Sequence, residues 1–302
     1  MNFYPINRRV VLTGLGAAIL TSVRPFGTRA DVVTTQKVQV GEITVTAISD
    51  GYFDLPAGAF SNIGSAKLEN IVRIGATMWV VSTPTRQILV DAGSGTFLKG
   101  KYPATGQMAS RLAIAGVDPG KVSDVIITHM HADHIGGLIE DGEKLFGSAE
   151  LHVSETEWKY WMAEDRPSNV PAGLKPLATL IQSIASSLPY NKTLHPGETD
   201  LGEGISLIAV PGHTPGHIGV RLSSGSAQLL LLGDMLISGD LQFKHPEAGY
   251  ALDSDPKRAA ETRMAMFDMI ATDGIPFCAT HLNGLAPSML ERNGGAFRRF
   301  DV

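Results

Sequence analysis

Cysteine is almost missing from this 302-residue chain: Cys278 stands alone, so no intrachain disulfide can form. Stability must come from a buried core, which a chain of this length can supply. Aromatic residues are sparse, at 7 % of the chain, and basic residues are outnumbered. The net charge is −5. The first 30 residues hold Arg8, Arg9, Arg24 and Arg29 and no acid, which leaves 21 basic against 30 acidic side chains beyond them, a net −9. No basic run is visible, and an acidic body is a poor partner for a phosphate backbone, so nucleic acid is not expected as a partner. Repeats at solenoid periods and long low-complexity tracts are absent too.

Long hydrophobic runs are also lacking. The apolar stretch from Val10 to Val23 falls short of the roughly 20 residues a membrane helix needs. With its basic start and the small Ala30 after it, residues 1–30 read as an export signal. The Arg8–Arg9 pair resembles a twin-arginine signal, with Asn7 where that pattern usually has Ser or Thr. The expectation is a periplasmic or secreted protein. It would keep no stable membrane span once the signal is removed, and residues 31–302 would form a single domain.

What is present is a series of short apolar runs and turns. VQVGEITVTAISDG alternates as a strand should, ATMWVVSTPTRQILV reads as two strands around Thr83–Pro84, and DVIITH and AELHVS are further short strands. ISLIAV, HIGVRLSSG, AQLLLLGDM and a final IPFCATH continue the series. MASRLAIAG, LATLIQSIASSL and PKRAAETRMAMFDMIAT have helical spacing, and a helix is expected to begin at IGGLIEDG. SETEWKYWMAE opens with Ser154 and carries Glu157 three residues on, a capping box. The layout implies two packed sheets with helices outside.

Polar side chains crowd the ends of these apolar runs. In VSDVIITHMHADHIGG, His129, His131, Asp133 and His134 follow a strand. A spacing of two puts His129 and His131 on one face of an extended segment. At this chain's composition, three histidines and an aspartate in that pattern arise by chance about once in two thousand such chains, which makes a solvated surface a poor account. His213 follows SLIAV, Asp234 ends LLLLGD, and His281 ends FCATH. A carboxylate at the end of a buried run is costly unless it is paired or bound to metal. Seven such groups suffice for two metals with an open position for water. Imidazoles and carboxylates suit zinc, and also manganese, iron or cobalt.

THMHADHIGG, followed by PGHTPGH, GD and a late histidine, resembles the metallo-β-lactamase superfamily from about Val38 to the C-terminus. The resemblance implies an α/β fold of the αββα sandwich type, two packed mixed sheets with helices on the outer faces. His129, His131 and His213 would hold one metal, and Asp133, His134 and His281 the other. Asp234 would bridge, and Asp91 in the VDAGSG loop would support the site from behind. Two divalent metals, zinc first, would supply a shared hydroxide, with Asp133 and Asp234 orienting it and relaying a proton. β-Lactamases of this fold lack the bridging aspartate, nuclease members carry extra domains, and glyoxalase II-like enzymes add a C-terminal helical domain, so these are set aside. The remaining groups are methyl parathion hydrolase-like enzymes and acyl-homoserine lactonases. ITHMHADHIGGL, LDSDPKRAAETR and ATHLNGLAPSMLERNGGAFRRF favour the former, while many lactonases carry Tyr where this chain has Ile237. A mono-iron persulfide dioxygenase is the alternative from another class, and a non-catalytic metal-binding module a third.

The expected activity is therefore hydrolysis of a small ester, lactone or phosphotriester. Phe97, Trp158, Trp161 and Phe243 are the expected substrate-pocket aromatics. His217 reads as structural or as a support behind the ligands, His152, His195 and His245 as surface or loop residues, and Cys278 as buried packing. The expected partner is a small-molecule substrate, and a homodimer is left open.

Overall fold

The computed structural model describes residues 33–302, apart from 141 and 148. The segment expected to be an export signal lies outside the described residues. Residues Thr34–Val302 form one unit. Two seven-stranded sheets make its centre. The first runs in the order Thr35–Val40, Ile43–Pro56, Ile71–Ser82, Gln87–Val90, Asp124–Ile126, Glu150–Ser154 and Lys192–His195, antiparallel at first and parallel from Gln87–Val90 onward. The second runs Thr199–Asp200, Ile205–Ala209, Ile218–Ser224, Ala227–Leu231, Phe277–Cys278, Ser288–Asn293 and Ala296–Asp301, with one parallel pair between Ala227–Leu231 and Phe277–Cys278. Both sheets are mixed, and the fold is the αββα sandwich.

Alternation along the strands decides which side chain enters which layer. Trp79, Val81, Ile126, Leu229 and Leu231 point between the sheets and pack with Val45, Val220 and Leu222. Their sequence neighbours Val80, Val125 and Ile127 point outward, under helices Met108–Ala115, Glu155–Met162 and Lys175–Ser186. Leu230, Leu232 and Phe277 do the same in the second sheet, beneath Phe267 and Ile270 of helix Pro256–Asp273. Runs such as LLLL are apolar throughout because both faces of the strand are covered. Among the described residues, no helix is long and apolar enough to cross a membrane.

Three sequence expectations are corrected. The helix near residue 135 starts earlier, at Ala132–Ile135, and carries Asp133 and His134. It gives way at Gly136 and Gly137 to a turn and then the two-residue strand Ile139–Glu140. Glycine is a weak helix former, and here the two press against the backbone of Ser94 and Ala92. IPFCATH is not the last strand. Ser288–Asn293 and Ala296–Asp301 form a hairpin whose register places Asn293 opposite Ala296 across Gly294–Gly295, a turn signal left unread in the sequence. Of the capping box, only half forms. Ser154 Oγ accepts the Glu157 N–H, but the Glu157 carboxylate reaches elsewhere.

Candidate metal centre

Strand ends from both sheets deliver the seven ligand-type residues to one place. His129, His131, Asp133 and His134 leave the end of Asp124–Ile126, and His213 follows Ile205–Ala209. Asp234 lies in the turn after Ala227–Leu231, and His281 follows Phe277–Cys278. They converge in two sets. His129, His131, His213 and Asp234 offer donor atoms within 4.8 Å of one another, as do Asp133, His134, Asp234 and His281. Asp234 belongs to both. In the first set, His131 Nδ1 lies 3.0 Å from both His129 Nε2 and His213 Nε2, and Asp234 Oδ2 is 3.3 Å from His213 Nε2. In the second, Asp234 Oδ2 is 3.0 Å from His281 Nε2, and Asp133 Oδ2 is 3.6 Å from that nitrogen and 3.7 Å from His134 Nε2.

The backs of the rings are fixed. His134 Nδ1 faces Asp91 Oδ2 at 2.8 Å, His213 Nδ1 faces Asp253 Oδ1 at 2.9 Å, and His281 Nδ1 faces the Gly75 carbonyl at 2.7 Å. With Nδ1 turned to an acceptor behind each ring, each Nε2 faces the centre. Asp91 is held in turn by the Thr128 N–H and hydroxyl, both at 2.8 Å. Its backbone is left-handed, with φ 60°, a strained state that aims the carboxylate at His134.

Buried charge sets the titration of the centre. Burial, then neighbouring imidazoles, hold His129 and His131 well below the ordinary histidine value, so they stay neutral. Burial opposes charge on His134 as well, but Asp234, Asp91 and Asp133 outweigh it and hold its pKa well above the ordinary value. Burial would raise Asp234; His281, His134 and His129 overcome it and lower the carboxyl instead. His217, which read as structural in the sequence, is pushed down to about 3 by burial. Its Nδ1 donates to the Val210 carbonyl at 3.1 Å, and its Nε2 accepts the Asp234 N–H at 3.2 Å, so it orients the shared aspartate. Gly233, at φ 51°, permits this turn, because a Cβ there would come within 2.5 Å of His217 Nε2.

The donor set fits two metal ions. His134 Nε2 and Asp234 Oδ1 are buried and lack any hydrogen-bond partner, although they lie only 3.2 Å apart. Polar atoms in that state are costly unless an ion meets them.

A cavity of about 390 Å³ opens onto the centre, with His131, Asp133 and His281 in its floor. Its walls are Phe53, Leu55, Ile74, Leu98, Tyr102, Leu174, Leu177, Tyr250 and Leu252, with Lys101 among them. None of the four aromatics expected from the sequence belongs to this lining. Phe243 packs in the core against Phe267 and Phe277, with centroids at 5.3 and 6.3 Å. Trp158 lies under the ammonium of Lys192. Phe97 is 40 % exposed, and in the turn that follows Ser94 it is its neighbour Leu98 that enters the wall. Trp161 stands beside His131, with centroids 5.5 Å apart, and supports the ring without reaching the cavity.

Glu157 stands at the helix start as expected, but its carboxylate has a use the sequence did not show. It is fully buried and accepts the Met130 N–H at 2.9 Å, the Gly216 N–H at 3.1 Å and the Trp161 indole N–H at 2.7 Å. It thereby ties the HMHADH segment to the PGHTPGH loop. Gly216 has to be glycine there, since a Cβ would lie 2.1 Å from the Glu157 nitrogen. Asp253, in the LDSD stretch, was missed as the support of His213. An acidic residue in a loop carries no mark in the sequence of the ring it will meet.

A family model described as the metallo-beta-lactamase superfamily matches residues 72–274. The chain belongs to the metallo-β-lactamase superfamily. Over 187 residues it is 31 % identical to metallo-beta-lactamase domain-containing protein 1 of Xenopus laevis, a match covering 59 % of this chain and 65 % of that relative. Over 231 residues it is 24 % identical to an N-acyl homoserine lactonase of Bacillus thuringiensis, covering 69 % of this chain and 83 % of the lactonase. Among solved structures, the hydrolase AbOPH superposes with a TM-score of 0.81 at 24 % identity, over 90 % of this chain and 98 % of that one. AidC, a dizinc quorum-quenching lactonase, does so with a TM-score of 0.81 at 23 % identity, over 89 % and 97 %. These two superpositions establish the fold.

Proposed function

We propose that this superfamily member is a dinuclear metal-dependent hydrolase of small esters, with lactones as its preferred substrate class. The observation that carries this reading is a pair of four-residue donor sets sharing Asp234 beneath a largely apolar cavity. His129, His131 and His213 would hold one ion and Asp133, His134 and His281 the other, with Asp234 serving both. Bound there, two divalent ions lower the pKa of water and polarise an ester oxygen. The protein's own contribution is position and proton traffic. Asp133, 17 % exposed at the side chain, is the carboxylate that meets the cavity and can accept a proton and return it to a leaving oxygen. The apolar walls suit the hydrocarbon part of a substrate and exclude water around the floor. The lactonase relatives support a lactone, and the LDSDPKRAAETR and ATHLNGLAPSMLERNGGAFRRF stretches keep an aryl phosphotriester in the comparison.

The deciding experiment strips the protein with chelator, reloads it with Zn²⁺, Mn²⁺ or Co²⁺, and measures kcat/KM on an acyl-homoserine lactone, p-nitrophenyl esters and methyl parathion. The lactone is expected to lead. Leadership of methyl parathion would move the enzyme to the phosphotriesterase group. One iron per chain with oxygen uptake would replace hydrolysis by a dioxygenase reaction. For residues 1–30 we propose export by the twin-arginine route. Replacing Arg8–Arg9 with Lys–Lys is expected to abolish periplasmic accumulation, and unchanged export would reject the route.

A further inference from the structure

Tyr250 combines three features that no structural role accounts for together. Its ring stacks on His213, with centroids 6.2 Å apart and planes 17° from parallel. Its backbone N–H donates to Asp253 Oδ2 at 2.8 Å, while Asp253 Oδ1 takes His213 Nδ1 at 2.9 Å. One carboxylate therefore fixes Tyr250 and a member of the first donor set in a common frame. The short strand Gly249–Tyr250 is further pinned by pairing with Phe60–Ser61. Yet the side chain lines the same cavity as Asp133 and His281, and its hydroxyl, which keeps access to that cavity, has no hydrogen-bond partner among the described residues.

Tyr190 shows the contrast. Its hydroxyl, buried in the core, donates to the Leu138 carbonyl at 2.9 Å and accepts the Phe146 N–H at 3.1 Å. Phenols in protein interiors normally find such partners. Tyr250 is half-buried, and its hydroxyl meets the cavity instead, so a rigidly held donor there is free to meet a ligand.

We propose that the Tyr250 hydroxyl donates a hydrogen bond to the carbonyl oxygen of the substrate's ester or lactone group, next to Asp133. The inference rests on the hydrolase reading and deepens it. The proton stays on the phenol throughout and no bond to it breaks. The donor strengthens its hold on the oxygen as negative charge grows there, which lowers the barrier. The rigid frame through Asp253 matters because a donor that must reorganise during reaction loses most of that benefit.

The test compares wild type, Tyr250→Phe and Tyr250→Leu, each loaded with Zn²⁺. Metal content is read by elemental analysis, and affinity for N-hexanoyl-L-homoserine, a carboxylate product that needs no turnover, by calorimetry. Tyr250→Phe keeps the ring over His213, so it is expected to retain wild-type metal content while losing about tenfold in carboxylate affinity and about tenfold in kcat. Tyr250→Leu is expected to lose metal as well. Wild-type affinity and kcat in Tyr250→Phe would overturn the proposal. Loss of metal in Tyr250→Phe would overturn it too, reducing the residue to packing on His213, and so would a wild-type protein that fails to bind the carboxylate. Failure of the hydrolase reading is seen separately, as absence of turnover in the loaded wild type while the carboxylate titration still reports on Tyr250.

Discussion

His129, His131 and His213 meet Asp234 as three imidazoles around one carboxylate, all buried. Asp133, His134 and His281 surround the same carboxylate with a second acid that opens onto the cavity. The first set is close to a pure nitrogen site whose rings His129 and His131 are held neutral. The second is richer in charge. At His281 burial works against the proton, but Asp234 and Asp133 outweigh it and raise the pKa, as happens at His134. A metal entering the first set meets ready lone pairs, whereas one entering the second must displace protons. The difference would suit the buried set to holding an ion and the set that opens onto the cavity to exchanging protons.

The largest effect should come from erasing what the two sets share. Asp234→Ala is expected to empty both sets and cut kcat/KM by more than about a hundredfold, beyond the loss typical of a supporting residue. His213→Ala and His281→Ala should each leave one ion per chain. Elemental analysis of the three variants checks this, and a fully active Asp234→Ala protein would end the two-set description. Next in size are the supports behind the rings. Asp253→Asn should weaken metal binding at the first set, and Asp91→Asn at the second, each by roughly 10–100-fold. Competition titrations with a chromophoric chelator read this, and equal losses at both sets from either change would show that the sets are not separable. The smallest effect concerns protons. His134 and His281 have raised pKa values, so in the metal-free protein they keep their protons to higher pH than an ordinary imidazole. Metal affinity at the second set should therefore rise as pH increases through those values, with protons released on binding. Calorimetry in buffers of different ionisation enthalpy should show more protons released by His213→Ala, which keeps the second set, than by His281→Ala, which keeps the first. Equal release would remove the electrostatic distinction.

Much of this was legible in the sequence because local order preserves it. Short apolar runs such as LLLL marked the strands, and the two packed sheets followed from such runs. His129 and His131 share a face because two residues of extended chain return to the same side, wherever the strand lies. The helix at Ala132–Ile135 was misplaced because the glycines at 136 and 137 serve a backbone approach to Ala92 and Ser94, which local propensity does not record. The hairpin from Ser288 to Asp301 was overlooked although its Asn-Gly-Gly turn was there to read. Glu157 was legible as a helix-start residue and illegible as the link between two ligand loops.

The pocket was the least legible part. Aromatic residues near the ligand motifs looked suitable, but Phe243 went to the core, Phe97 toward solvent and Trp161 behind His131. The wall came instead from Phe53, Leu98, Tyr102, Leu174 and Tyr250, residues scattered over nearly 200 positions that no spacing rule connects. By itself the sequence determined the ligand types, the strand ends that carry them and the layered fold, because periodicity and residue chemistry act over a few residues. Only the tertiary structure decided how the seven candidate ligands divide around Asp234, which carboxylate backs which ring, and which cavity opens onto them. Those outcomes depend on which side chains from distant strands come to lie within a few ångströms of one another.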